Sequence, residues 1–182
     1  MNVSRAKARP VSGHLIQRVV SGGQTGVDRA ALDAALQAGL PIGGWCPRGR
    51  RSEDGRIPDH YPLKETAARS YAVRTEWNVR DSDGTLILVL NELSSGTALT
   101  RSCARKQNKP CLVIHLRDET DESLFQDRVC LKDALQNVRN WLAESDIQTL
   151  NVAGPRNDSR NTVYEEALNF LKTLLHGHHE AE

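Results

Sequence analysis

Residues 84–90 read Gly-Thr-Leu-Ile-Leu-Val-Leu, a run of strand length with no polar face. A strand that is apolar on both sides needs cover on both sides, which is the situation inside a parallel sheet with helices packed above and below. Residues 111–116, Cys-Leu-Val-Ile-His-Leu, repeat the signature. Parallel strands need crossover connections, and these are usually helical. The intervening sequence supplies them. Residues 25–38 place Val27, Ala30, Ala31, Ala34, Ala35 and Ala38 at helical spacing, with Gly39 as the stop. Further helices are predicted over 96–106, over 123–143 through Leu124, Val129, Leu131, Leu135, Val138 and Leu142, and over 162–175 through Val163, Leu168, Leu171 and Leu175. Residues 14–20, 41–46 and 149–153 read as further strands, and 71–80 fits a short helix without excluding an irregular segment. The alternation predicts an α/β, Rossmann-like three-layer domain with a mainly parallel sheet of about five or more strands flanked by helices. One such domain is expected over 14–176, with 1–13 a flexible arm and 177–182 a tail.

Charge narrows the partners. Lys plus Arg number 24 against 23 Asp plus Glu, so no global field recruits nucleic acid or an anionic membrane, and anion recognition has to be local. No apolar run approaches the roughly 20 residues needed to cross a bilayer. No apolar segment follows Arg5, Lys7 and Arg9 as a secretory signal requires. Cys46, Cys103, Cys111 and Cys130 lack CxxC spacing, which argues against a zinc ribbon and for reduced thiols in a cytoplasmic protein. His176, His178 and His179 read as a solvated tail rather than a metal site, and no metal is expected to be held by protein ligands.

In open α/β sheets ligands sit beyond the carboxyl ends of the strands, which confines the search to the loops that follow them. Ser21, Gly22, Gly23, Gln24, Thr25 and Gly26 lie between the first strand and first helix. Glycines there bring backbone N–H groups close to a phosphate at the positive end of a helix. Asp28 and Arg29 occupy the first helical turn and can reach the same space. Ser94, Ser95, Gly96 and Thr97 open the helix after the long buried strand, with Thr97 placed to cap it or to bond a ligand oxygen. Gly154, Pro155 and Arg156, followed by Ser159, form a third small-residue loop in which Arg156 can pair with a phosphate or carboxylate.

The long polar segment 47–62 holds Arg48, Arg50, Arg51 and Arg56. It reads either as a positively charged lid or as a solvated loop whose arginines meet Glu53, Asp54 and Asp59. Arg74 and Asn78, four apart, share a helix face and with Thr75 could wall a pocket. Trp45, Tyr61 and Trp77 are candidates to stack on a base or pterin ring, or to lie partly in the core. No catalytic constellation is present: His60 and His115 have no nucleophile at motif spacing, and catalytic residues stay unassigned.

The blocks Ser-Gly-Gly-Gln-Thr-Gly-Val-Asp-Arg-Ala at 21–30 and Gly-Trp-Cys-Pro-Arg-Gly-Arg-Arg-Ser-Glu-Asp-Gly at 44–55 resemble the molybdenum carrier family. The likeness continues through Tyr71, Arg74 to Val79, Ser82 to Thr85, Gly96-Thr97 and Asn151 to Arg156, and spans about 16–172. That family is similar in fold to the Rossmann-like lysine-decarboxylase-like (LOG) proteins. The resemblance implies a phosphorylated small-molecule ligand, a nucleotide derivative or the molybdenum cofactor, and a homo-oligomer. Any molybdenum would arrive on the pterin, with Cys46 a remote contact. Ser95 stands where the family has the middle glycine of Ser-Gly-Gly-Thr. LOG hydrolases place a catalytic glutamate shortly after the Gly-Thr turn, whereas Ala98, Leu99, Thr100 and Arg101 follow here. The expected function is thus a binding or carrier protein for such a ligand. The alternatives are a nucleotide-processing enzyme, an N-glycoside or phosphate hydrolase using Asp28 or Glu53, and a nucleotide-sensing module.

Overall fold

The structure, a computed structural model, describes residues 16–90, 94–116, 124–157 and 162–176, with backbone alone over 124–130. The arm, the tail and Ser159 lie outside the described residues.

The long apolar run forms β7 (Gly84–Val89), buried along its whole length. It lies between β8 (Cys111–His115) and β9 (Thr149–Ala153), with Leu86 opposite Leu112 on one side and Val152 on the other. Beyond β9 come β1 (Arg18–Val20) and β2 (Ile42–Gly43), giving a five-stranded sheet in the order β2-β1-β9-β7-β8 with every pairing parallel. Such a sheet has to be covered on both faces. The helices α1 (Val27–Gln37), α4 (Leu124–Glu144) and α5 (Thr162–His176) form one layer in which α5 contacts both α1 and α4, and α2 (Tyr71–Arg80) packs with α3 (Ser95–Lys106) as the other. Right-handed crossovers require this division. The buried Ala30, Ala31, Ala34 and Ala35 of α1 let α5 approach closely, and Phe170, Leu171 and Leu174 fill the seam.

The strand expected over 41–46 is in fact broken in two. Gly44 has φ 126°, and a Cβ there would lie 2.1 Å from the Ser21 carbonyl oxygen, so the chain leaves the main sheet at this point. Trp45–Cys46 (β3) pairs instead with Lys64–Glu65 (β6) as a separate two-stranded ribbon. The segment expected as one long loop also contains a hairpin, Arg51–Ser52 (β4) against Gly55–Arg56 (β5). Segment 71–80 resolves to helix, with the Ser70 hydroxyl accepting from the Ala72 amide at its start. At the other end, the Lys109 ammonium donates to the Arg80 and Ser82 carbonyls.

The order has a hidden regularity. Numbered from β7 to β9 and then on from β1 to β2, the strands lie in the sequence 2-1-3-4-5 of a doubly wound sheet. The chain is that topology opened before its fourth strand. The crevice where strand order reverses falls between β7 and β9. Among the described residues no helix is long and apolar enough to cross a membrane.

Candidate ligand-binding site

Because β1, β9 and β7 are parallel neighbours, the loops that leave them emerge side by side at one sheet edge. Gly154 marks the junction: a Cβ there would meet the Val27 side chain at 2.4 Å and the Leu88 carbonyl oxygen at 2.5 Å. Gly26, at φ 75°, lies against the backbone of Pro155 to Asn157, with no room for a side chain. The Val27 amide donates to the Pro155 carbonyl at 3.2 Å, and the Asn157 amide to Thr25 Oγ1 at 3.3 Å. The loops after β1 and β9 are therefore one packed unit, and the first amide of α1 already has a protein acceptor.

Under this unit lies an ion pair. Asp28, 3% exposed, meets Arg74 Nη1 at 3.1 Å, and Arg74, 14% exposed, reaches it from α2 across the top of β1. The Gln24 amide also donates to Asp28 Oδ2, at 3.2 Å. Burial raises the Asp28 carboxyl above the ordinary value, and the Arg74 charge opposes the rise, helped by the Gln24 amide and the Ser21 hydroxyl. The Arg74 guanidinium rests on Gly22, where a Cβ would lie 2.0 Å from Nη1. Ser21 Oγ donates to the Val152 carbonyl at 2.7 Å, tying β1 to β9. Gly22 and Gly23 are buried, and their amides find no acceptor among the described residues. The buried Nε atoms of Arg74 and Arg29 likewise have no acceptor there. Buried donors of this kind are normally paired with something.

The hairpin of β4 and β5 closes over the same edge. Arg29 donates to both oxygens of Asp54, with Nη2 at 2.9 Å from Oδ1, and to Ser52 Oγ at 3.1 Å. The Gln24 side-chain oxygen accepts the amides of Glu53 and Thr25, each at 2.9 Å, and Arg156 Nη1 lies 3.2 Å from Glu53 Oε1. The base of the hairpin is anchored differently. Arg50 is buried and donates to the carbonyls of Ile57, Pro58, Tyr61 and Leu63. Ile57 and Leu63 pack where Gly23 has no side chain. Arg48 is exposed, and Arg56 pairs with Asp59. The reading in which the loop's charges meet its own acids describes Arg50 and Arg56, which both pair with Asp59; Asp54 and Glu53 meet Arg29 and Arg156.

Several other residues picked from the sequence have partners elsewhere. The Asn78 amide is engaged by the Trp45 backbone, donating to its carbonyl at 2.9 Å and accepting its N–H at 2.7 Å, as a neighbouring strand would. Ser94 caps α3, and the buried Thr97 hydroxyl donates back to the Ser94 carbonyl at 2.8 Å, leaving Ser95 and Gly96 exposed at the helix start. Trp45 and Trp77 meet edge to face, and Trp45 Nε1 donates to Asp81. The Tyr61 and Tyr164 hydroxyls both donate to Asp33, at 2.8 Å each. Burial beside that carboxylate raises both phenols, Tyr164 to about 12. Burial likewise raises the Cys46 thiol. Sequence reasoning named Glu53 only as the acid of the enzyme alternative and missed that Asp54 belongs to the edge; the acidic pair within an arginine-rich segment was the available signal.

A permuted doubly wound sheet with loops converging at β1 and β9 is the architecture to compare with known proteins. The model of the circularly permutated YpsA SLOG family matches residues 19–175. The chain belongs to that family. The family's circular permutation agrees with the strand order read from β7. A crystal structure of a Syntrophus aciditrophicus SB protein named "Putative molybdenum carrier protein" is similar as well, with 42% sequence identity and a TM-score of 0.80, covering 90% of this chain and 98% of that one. No protein of curated function matches the chain. Among the described residues of this SLOG-family member, no three His, Cys, Asp or Glu side chains gather as metal ligands.

Proposed function

We propose that this SLOG-family protein binds and carries a phosphate-bearing, nucleotide-related small molecule at the sheet edge formed by the loops after β1, β9 and β7. The observation that carries the reading is the set of donors at that edge with no acceptor among the described residues: the buried Gly22 and Gly23 amides and the Arg74 and Arg29 Nε atoms. They are all N–H donors, the chemistry that suits an oxyanion. The same donor set fits the phosphate of a molybdopterin, and the Syntrophus protein's name favours a molybdenum-related cargo. In that case the chain's residues hold the phosphate, and the metal enters as part of the cargo. Ser95 and Gly96, at the start of α3 beside the β7–β9 crevice, extend the surface available to it. The free thiols of Cys46, Cys103 and Cys111 suit a reducing cytoplasm, and the protein is read as a homo-oligomer, which sedimentation will test.

The binding reading is tested by isolating the protein without refolding, releasing small molecules by heat and weighing them by mass spectrometry. A phosphate-containing nucleotide or pterin at near-equal stoichiometry is expected. Folded protein that repeatedly yields none, and whose Gly22 and Gly23 amide resonances ignore added nucleotides and phosphates, would end the proposal.

A further inference from the structure

Gln24, Arg29 and Arg156, all expected from the sequence to hold a ligand, hold the tip of the protein's own hairpin instead. The tip presents two consecutive carboxylates to two guanidiniums that come from separate elements, Asp54 to Arg29 of α1 and Glu53 to Arg156 of the loop after β9. We infer that Glu53 and Asp54 stand in for the two anionic groups of a ligand, and that a diphosphate displaces them from Arg156 and Arg29 and frees the hairpin tip. The inference rests on the proposed anion-binding edge and goes further by naming the ligand class and the residues that compete with it.

Four features favour exchange. The Arg156–Glu53 pair is exposed, at 65% and 47%, so solvent screens it and little holds it. Arg29 is only 16% exposed while its partner Asp54 is 47% exposed, so the guanidinium stays in place when the carboxylate leaves. Its buried Nε has no acceptor among the described residues, and the multiply charged oxygens of a phosphate group offer more than a carboxylate does. A single phosphate can replace only one of the two carboxylates, whereas a diphosphate spans both. The tip can move alone, because Arg50 and Ile57 fix the base. Gly55, at φ 115° with open space around it, lies within the moving part.

The experiment titrates the full chain with inorganic pyrophosphate and with orthophosphate by calorimetry, following backbone amides and arginine Nε resonances by NMR. Glu53→Gln combined with Asp54→Asn removes the competing charges. It should tighten pyrophosphate binding about tenfold while the preference over orthophosphate persists. In the unsubstituted protein, pyrophosphate should speed tryptic cleavage after Arg51 or Arg56. Unchanged or weaker binding in the double variant overturns the inference, as does equal affinity for the two anions. If the Gly22 and Gly23 resonances still respond to anion, only the stand-in fails. If no anion binds and those resonances stay fixed, the anion-binding edge fails with it.

Discussion

Asp28 and Arg29 are neighbours in the first turn of α1, yet they make opposite kinds of ion pair. Asp28 turns inward to Arg74, with both side chains nearly removed from water, and Arg29 turns outward to Asp54, which is half exposed. A buried pair is tied to the fold, because losing one partner strands the other charge where water cannot solvate it. An outward pair is screened and exchangeable. One turn of helix thus joins a fixed support beneath the loop to a replaceable contact above it. The first packs directly against Gly22; the second holds the hairpin tip from outside.

The comparison breaks most visibly at Arg74. Arg74→Ala should cost about 3–5 kcal/mol in denaturant unfolding near neutral pH, the scale for stripping one partner from a buried pair. The loss should shrink in acid. Asp28 has a folded value raised by burial, so its ionisation costs stability as pH rises through that value. Without Arg74 the value rises further, and at acid pH the protonated carboxyl no longer needs a cation. A loss that is equal at both pH values would show that the pair is not what Arg74 supports. Gly22→Ala tests the same support from the other side. A Cβ 2.0 Å from Arg74 Nη1 forces the guanidinium off Asp28 or the loop off the strand, at about 1–3 kcal/mol. Gly55→Ala, in open space but at φ 115°, meets backbone strain and no collision, so it separates the two causes.

On the exposed side the numbers fall. Asp54→Asn or Glu53→Gln should change unfolding free energy by only about 0.2–1 kcal/mol, and less in high salt. The same variants should alter protease sensitivity of the hairpin far more than global stability, because local opening does not need the core to open. A loss of several kcal/mol from Asp54→Asn would mean that the hairpin is part of the fold's support, and the contrast between the two pairs would disappear.

This contrast explains what the sequence could and could not show. The runs at 84–90, 111–116 and 149–153 announce their strands because burial on both faces leaves no polar position, and the alanines of α1 announce its packed face. Strand order is another matter. Nothing in the local pattern says that β9 lies between β1 and β7, because its pairings join segments far apart in the chain, Val19 to Leu150 and Thr85 to Asn151. The break at Gly44 was equally hidden, since its cause is the Ser21 carbonyl of another strand. The edge was legible as a set of glycine loops after strands. The partners of its polar side chains were not, because Asn78, Gln24 and Arg156 carry the same hydrogen-bonding groups whether they face a ligand, a backbone or a hairpin.

The smallest expected effect is the pH response of the outer pair, and it falls in a lower pH range than that at Arg74. Asp54 is held below the ordinary carboxylate value, first by its hydrogen bonds from Arg29 and further by the Ser52 hydroxyl, against an opposing effect of burial larger than that of Ser52. Its folded value is therefore lower than its unfolded one. The stability it contributes is present above the unfolded value of about 4 and is lost as pH falls through the depressed folded value. The difference between the unsubstituted protein and Asp54→Asn should accordingly stay flat from neutral pH down to about 4 and narrow only below it. The deficit of Arg74→Ala should already be shrinking above that point, because the Asp28 value lies above the ordinary one. The two deficits would then shrink in the same direction but over different pH ranges, readable from chemical denaturation of the two variants at a series of pH values. Coincident ranges would mean that burial does not distinguish the two pairs.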